Sequence, residues 1–387
     1  MMSRDAKLLK VLYFIRYFGD SLFYSFFQLF LYSKGFPESR IGLILAITPI
    51  TSILVNPFWN YISKDANVIR KLIRIITIIE GLLIITIGQL SMFELVAVLT
   101  CLIAIIGSPF YSLFDGFTAT FTETYHMEYS KMRRIGALAY IFGCSLGGVL
   151  LNYIGYAWVF MISGFLFILC SIFISLIKPL PLEEKVKEKR NYKAILTNKE
   201  FYFYLAFYVL TFSIASLGDN FFGVFLTKER GITDSMYGQI VAAWVIVEFV
   251  TMLILARVGK KAKDLYLYGL IGLVYAIRLF AVGFNLPTMV IIGFAVLRGI
   301  SMGTLLHIHL KHLVKIIKLE NLTAGIFIIA IVSSIILAVG NTVCGYFIEY
   351  YGYSSVFMVL GCIVLIATLI YFGKGLLFKE RNTEVLE

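Results

Sequence analysis

The sequence has few of the charged residues that cover the surface of a soluble protein. Only 15% of its 387 residues are Asp, Glu, Lys or Arg, and 60% are apolar, whereas a soluble domain is about 45–50% apolar. A chain of this length cannot hide so much apolar surface in a core of its own. We therefore expect an integral membrane protein.

Cysteine is also scarce, and several sequence motifs are missing. The five cysteines lie in apolar segments without Cys-x-x-Cys spacing: Cys101, Cys144, Cys170, Cys344 and Cys362. This placement argues against a disulfide framework and a metal site. The chain lacks a Gly-x-x-x-x-Gly-Lys-Ser/Thr loop for ATP and a TVGYG channel filter. Without a metal-spaced His/Asp cluster or a nucleophile motif, we expect no cofactor and neither a membrane-bound enzyme nor a signalling receptor.

Long apolar segments fill most of the chain. Charge clusters and turns separate twelve of them, each of roughly 18–25 residues, the length that crosses a bilayer as a helix. The predicted spans are 9–33, 41–63, 72–91, 95–118, 135–153, 157–177, 200–226, 236–256, 265–284, 288–310, 322–348 and 354–373. The fold class predicted is therefore an all-α integral membrane protein with twelve transmembrane helices.

The basic residues are distributed unevenly between the loops. With the N-terminus in the cytoplasm, the inner segments contain 27 of the 34 Lys and Arg residues, and the outer loops contain only Lys34, Arg40, Lys228 and Arg230. Cytoplasmic loops of membrane proteins collect Lys and Arg. We therefore expect a multi-pass protein of the cell membrane with both termini inside, and we attribute the net charge of +11 to this bias rather than to nucleic acid.

Two pairs of segments repeat at half the chain length. Residues 143–160, GCSLGGVLLNYIGYAWVF, match residues 340–357, GNTVCGYFIEYYGYSSVF, at an offset of 197. Gly35-Phe-Pro-Glu-Ser39 matches Gly231-Ile-Thr-Asp-Ser235 at an offset of 196. Parallel repeats of this kind are typical of secondary transporters, whose substrate site lies between the halves. We predict pseudo-symmetric six-helix bundles at 1–177 and 200–387, joined by a charged cytoplasmic linker at 178–199.

Ionisable residues inside the predicted spans are candidates for function, because a charge at membrane depth is costly unless it is paired or hydrated. Arg16 and Asp20 are four residues apart and share a helix face, as a structural pair or as part of a site. Glu80 has no partner nearby in sequence and is interpreted as a core acid. The other candidates are Asp115, Asp219, Glu248, Arg278 and Arg298.

The segment before span 5 resembles a known family. Met127-Glu-Tyr-Ser-Lys-Met-Arg133-Arg-Ile-Gly136 is similar to the Phe-Glu-Phe-Gly-Arg-Ala-Arg-x-x-Gly segment of the major facilitator superfamily, in the branch that contains lactose permease and the phenylpropionate permease-like proteins. The resemblance implies that Asp115 and Arg133 hold substrate hydroxyls and that Tyr140 stacks on a sugar. We add Asp20, which has the corresponding Asp219 in span 7, to this predicted substrate site.

The second half carries the residues predicted to couple transport to protons. Gly272-Leu-Val-Tyr-Ala-Ile-Arg278 resembles the span-9 segment of the permease, whose arginine takes part in proton coupling. Glu248, Arg278 and Arg298 fall on three consecutive spans, where a carboxylate and two guanidinium groups can exchange partners as a proton arrives. This chain has Arg298 and Ser301 in place of the permease's span-10 His-x-x-Glu pair. Glu248 or Asp219 is therefore predicted to carry the proton.

These observations predict a monomeric proton-coupled symporter of a small polar organic solute. A sugar or glycoside is the first choice, and a nucleoside or an aromatic acid is the alternative. A different class, the drug-efflux antiporter, is indicated by Gly143-Cys-Ser-Leu-Gly147-Gly148, which resembles the exporters' Gly-Pro-x-x-Gly-Gly motif with Cys144 in place of proline.

Overall fold

The computed structural model describes residues 4–63, 65–180, 195, 197–258, 263–318 and 321–384, and these residues contain helices and no strand. The helices of the first half are α1 (Arg4–Phe23), α2 (Phe27–Ser33), α3 (Glu38–Ile62), α4 (Ala66–Gly88), α5 (Phe93–Gly107), α6 (Phe110–Thr124) and α7 (Tyr129–Leu176). Those of the second half are α8 (Lys199–Tyr208), a π-helical turn (Val209–Ser213), α9 (Ile214–Arg230), α10 (Asp234–Val258), α11 (Asp264–Gly283), α12 (Thr288–Val296), α13 (Arg298–Ile316) and α14 (Leu322–Glu384).

The described helices supply the twelve predicted crossings. Eight helical segments are long and apolar enough to cross a membrane, and two of these, in α7 and α14, are 48 and 53 residues long and cross twice. One of the two remaining crossings is formed by α1 together with α2, and the other by α4. Both carry charged residues at membrane depth. The predicted boundaries of the spans differ from the helix ends by several residues, because helices extend beyond the apolar core into the interface.

Four glycines confirm the internal repeat in the backbone itself. Among the described residues, the glycines with positive φ are Gly35, Gly155, Gly231 and Gly352. They are the two equivalent pairs of the sequence repeats. Gly155 (φ 73°, ψ 172°) and Gly352 (φ 76°, ψ 166°) form the sharp bends within α7 and α14. This region of backbone conformation is almost restricted to glycine, so the repeat preserves the turns between neighbouring crossings.

Replacing either bend glycine with alanine is expected to destabilise the protein. The change Gly155→Ala or Gly352→Ala costs about 1–3 kcal/mol because an L side chain strains this backbone conformation. An added Cβ has nothing within 4 Å at these two positions, nor at Gly293 in α12, where φ is not positive. Gly293→Ala is therefore the matched control. Thermal unfolding in detergent measures the difference, and equal midpoints for all three variants would contradict the prediction.

The chain divides into two compact units. Unit 1 comprises Met1–Lys187 and Gly223–Ala242, and unit 2 comprises Glu188–Phe222 and Ala243–Glu387. The divisions fall within α9 and α10. Most of the predicted linker, 178–199, lies outside the described residues, and the boundaries of the two predicted bundles remain predictions.

Close packing of α1 on α7 sets the position of the charged residues in α1. A Cβ on Gly136 would lie 2.9 Å from the ring of Tyr17, and one on Gly143 would lie 1.8 Å from Ser21 Oγ. Small residues at such crossings let two helix backbones approach closely. The glycines of α7 therefore fix α1 at a short distance, and with it Arg16 and Asp20.

Two crossings are interrupted at equivalent places. α5 ends at Gly107 and α6 begins at Phe110, and α12 ends at Val296 and α13 begins at Arg298. Pro109 has no backbone N–H to donate and so favours the first interruption. In each half, the residues just after the interruption contribute a polar side chain to a buried cluster.

Candidate functional site

A buried ionic cluster lies in unit 1, on helices α1, α4 and α6. Arg16 donates two hydrogen bonds to Glu80, from Nη1 to Oε2 (2.7 Å) and from Nη2 to Oε1 (3.2 Å). It also donates from Nε to Asp20 Oδ2 (3.1 Å). The Tyr24 hydroxyl donates to Glu80 Oε1 (2.7 Å), and the Tyr111 hydroxyl donates to Asp20 Oδ2. We call these five residues the Arg16 cluster.

Aromatic rings enclose the guanidinium group of Arg16. Its Cζ lies 3.8 Å from the ring centroids of both Phe110 and Phe167, so one ring covers each face. Such cation–π contacts stabilise a cation from which water has been removed. Arg16, Asp20 and Glu80 are at most 1% exposed, so the three charged groups of the cluster are buried.

The Arg16 cluster has more acid than base. It holds two carboxyl groups and one guanidinium, so its formal charge is −1 when both acids are ionised. The sequence predicted the contact between Arg16 and Asp20, which are one helical turn apart. It did not predict Glu80, which is 64 residues from Arg16. The one signal for Glu80 was its presence at membrane depth.

A second ion pair in unit 1 joins α6 to α7. Arg133 Nη1 donates to Asp115 Oδ2 (2.9 Å) and lies 3.3 Å from the Tyr129 hydroxyl. The side chains of Asp115 and Arg133 are 33% and 49% exposed. This pair, predicted from the resemblance, is therefore partly open to a ligand.

Tyr17 lies between the Asp115–Arg133 pair and the Arg16 cluster. Its ring meets that of Tyr111 edge-on with centroids 5.7 Å apart, and it is within electrostatic range of Asp115 and Arg133. Tyr111 and Asp115 are one turn apart on α6. This turn of α6 thus contributes to both the Asp115–Arg133 pair and the Arg16 cluster.

The structure places the other predicted substrate residues apart from this pair. The Tyr140 hydroxyl is 2.8 Å from Ser25 Oγ, which in turn is 3.3 Å from Cys144 Sγ. Tyr140 follows Arg133 by seven residues and lies on the same face of α7. Asp20 belongs to the Arg16 cluster, so its contacts are with Arg16 and Tyr111 rather than with Asp115 and Arg133.

Unit 2 contains a cluster of the opposite composition. Asp219 in α9 accepts hydrogen bonds from Arg298 Nε (2.6 Å) and from Arg278 Nη2. Both oxygens of this carboxylate are used, one by each arginine. Arg278 is 6% exposed, and its Nε and Nη1 atoms have no hydrogen-bond partner. We call Asp219, Arg278 and Arg298 the Asp219 cluster; it has one carboxyl group and two guanidinium groups.

Glu248 lies beside this cluster on α10. A Cβ on Gly299 would lie 2.5 Å from the backbone nitrogen of Glu248, so α13 crosses α10 at this point. The Glu248 carboxylate is within electrostatic range of Arg298. The structure thus brings together Asp219, Arg278 and Arg298 and places Glu248 next to them.

Histidines near the C-terminal end of α13 form an aromatic network. His309 Nδ1 is 2.6 Å from the Tyr204 hydroxyl, and His312 Nε2 is 3.1 Å from the Tyr371 hydroxyl. Within the described part of the chain, no three His, Cys, Asp or Glu side chains form a group that could hold a metal ion. Both histidines therefore have hydrogen-bond partners within unit 2.

Comparisons with known proteins agree with this architecture. The model of the MFS_1 like family matches residues 7–371. A protein of Bacillus subtilis (strain 168), described as the uncharacterized transporter YwbF, is 25% identical over 356 residues, which are 90% of this chain and 87% of that protein.

Solved structures show the same fold. A mutant of the nucleoside transporter NupG superposes with a TM-score of 0.80 at 14% identity, over 95% of this chain and 98% of that one. A bacterial homologue of the human lysosomal transporter Spinster, in an inward-facing and unoccupied conformation, has a TM-score of 0.69 at 13% identity, with 95% of each chain covered. The fold is therefore the twelve-helix fold of these transporters.

Proposed function

The chain belongs to the MFS_1 like family, and from this premise we propose that it is a secondary transporter that couples the uptake of a small polar organic solute to protons. The observation that carries the proposal is the half-exposed Asp115–Arg133 pair on two membrane-crossing helices. An ion pair whose two side chains stay partly exposed is suited to exchange hydrogen bonds with a polar solute. Transport proceeds by alternating access, in which the solute is bound from one side and released to the other.

The chemistry of the pair favours solutes with several hydroxyl groups. A carboxylate accepts hydrogen bonds and a guanidinium donates them, so together they hold neighbouring hydroxyls of one molecule. Tyr129 and Tyr17 add aromatic rings beside the pair, and Tyr140 lies two turns along α7. We propose a sugar or glycoside first, and a nucleoside or an aromatic acid as the next classes to test. This choice follows the resemblance of the pair to the lactose permease and phenylpropionate permease-like branch.

Acids on membrane-crossing helices support proton coupling. Asp20 and Glu80 lie on α1 and α4, and Glu248 lies on α10, where an acid that gains and loses a proton changes the charge that the bilayer must accommodate. The basic residues of the predicted inner loops support a position in the cell membrane with both termini in the cytoplasm. We propose a monomer, since each chain carries its own complete set of charged groups.

The test is solute-induced alkalinisation of weakly buffered cells that express the protein. Sugars, nucleosides and aromatic acids are added one at a time, and cells carrying the empty vector are the control. Symport consumes external protons, so the medium becomes more alkaline when a transported solute is added. Acidification, or uptake only in inverted membrane vesicles, would instead indicate the efflux antiporter. No pH change with any solute, together with no solute-dependent counterflow, would contradict proton-coupled transport.

A further inference from the structure

We propose that the Arg16 cluster is the proton-binding site of this transporter and that Asp20 and Glu80 together hold one exchangeable proton. The inference deepens the proposed function, on which its role in transport rests. It starts from the charges of the cluster. One guanidinium neutralises one carboxylate, and a second carboxylate remains in a site that is at most 1% exposed. Burial of an unpaired charge is so unfavourable that an acid takes up a proton instead.

No other cation reaches the cluster among the described residues. The groups that face it are the hydroxyls of Tyr24 and Tyr111 and, within electrostatic range, Tyr17 and the thiol of Cys170. Phenols and thiols donate hydrogen bonds but carry no positive charge. The rings of Phe110 and Phe167 occupy both faces of the guanidinium. No described side chain is thus left to neutralise the second carboxylate, and we assign this role to a proton.

The hydrogen bonds indicate where the proton binds. Both oxygens of Glu80 accept a hydrogen bond from Arg16, and Asp20 Oδ2 accepts one from Arg16 and one from Tyr111. Asp20 Oδ1 is buried and accepts none, although Arg16 Nη2 is 3.1 Å away. This oxygen has a lone pair available. A proton on it makes the cluster neutral without displacing any existing hydrogen bond.

Asp219 and Asp115 are less suited to this role. Asp219 lies between Arg278 and Arg298, and each of its oxygens accepts a hydrogen bond from one of them. Two neighbouring guanidinium groups favour the ionised form of this carboxylate over the protonated form. Asp115 is one-third exposed and has Arg133 as its counter-ion, so it is already balanced.

The cluster is connected to the proposed solute site through α6. Tyr111 donates to Asp20, and Asp115, one turn further along the same helix, binds Arg133. Tyr17 packs against Tyr111 on the intervening side. A solute that binds Asp115 and Arg133 thus acts on the same turn of α6 that carries Tyr111, whose hydroxyl donates to Asp20 in the proton site. This arrangement gives solute binding a direct effect on how Asp20 is stabilised.

The proton itself is the probe in the experiment that tests this assignment. The protein is reconstituted in lipid vesicles, and infrared difference spectra are recorded across an acid-to-alkaline pH jump, without any solute. The wild-type protein is expected to show the carbonyl band of a buried carboxylic acid that disappears at alkaline pH. Glu80→Gln and Asp20→Asn should each remove the band, because either change leaves one carboxylate balanced by Arg16. Glu94→Gln, at an exposed position at the start of α5, is the control that should keep it.

Two outcomes would overturn the assignment. One is a wild-type protein without a titrating carboxylic acid band, and this measurement needs no variant to fold. The other is a band that persists in both Glu80→Gln and Asp20→Asn but disappears in Glu248→Gln, which would move the proton to α10. Either outcome leaves solute-induced alkalinisation possible, so failure of the assignment is distinct from failure of the proposed function. A purely structural role for the cluster predicts no titrating band at all.

Discussion

Arg16→Gln is expected to be among the most destabilising single substitutions in this protein. It leaves Asp20 and Glu80 buried without a counter-ion, and removal of one partner from a buried ion pair costs about 3–5 kcal/mol. It also leaves the rings of Phe110 and Phe167 without the cation that they enclose. The expected result is a lower yield of folded protein and a large decrease in the midpoint of thermal unfolding in detergent.

The control variants separate charge from packing. Arg134→Gln removes an arginine that is half exposed and 4.0 Å from Glu128, and exposed pairs contribute about 0–1 kcal/mol, so its unfolding midpoint should change little. The triple variant Arg16→Gln, Asp20→Asn, Glu80→Gln removes all three charges and should recover most of the lost stability. If Arg16→Gln and Arg134→Gln unfold at the same temperature, the cluster does not have the energetic role that we assign to it.

Asp115→Asn and Arg133→Ala are expected to weaken solute recognition far more than they affect stability. A hydrogen bond to a charged group contributes about 1.5–3 kcal/mol, and its loss therefore weakens binding by about 10–100-fold for each bond. Because both side chains are partly exposed, their removal leaves no large unpaired charge in the interior. Counterflow with the solute identified by alkalinisation measures the loss.

An exposed ion pair near the same end of α7 supplies the matched control. Lys131 and Glu128 are 3.1 Å apart, and their side chains are 57% and 61% exposed. Lys131→Gln removes a cation two residues before Arg133 and should leave counterflow unchanged. If Asp115→Asn retains wild-type affinity, the predicted site on α6 and α7 is wrong, whatever the effect of Arg133→Ala. The Arg16 and Arg133 predictions thus distinguish a cation needed for folding from a cation needed for binding.

The repeats illustrate what local sequence predicts well. Gly155 and Gly352 occupy equivalent positions of the repeat. Both adopt a backbone conformation with positive φ that other residues rarely adopt. The contact between Arg16 and Asp20 was predicted for the same kind of reason, because residues four apart meet on a helix. The resemblance that paired Asp115 with Arg133, 18 residues apart, preserved its register across one short turn.

Contacts between distant helices were not predictable in this way. Glu80 was interpreted as a core acid, and the packing of both α1 and α4 on α7 gives it two hydrogen bonds from Arg16. Asp219 was predicted without a partner, and Arg278 and Arg298 on two other helices pair with it. A helix presents many side chains at membrane depth, and its sequence does not show how it is rotated against its neighbours.

Composition, span length and internal repetition alone established a twelve-helix membrane protein with two related halves, because bilayer thickness and backbone hydrogen bonding allow few other solutions. Only the tertiary structure decided how the buried charges are grouped. It placed two acids on one arginine in unit 1 and two arginines on one acid in unit 2. The reason is physical: the balance of charge in a buried cluster depends on which helices touch, and that is determined by side-chain packing over the whole fold.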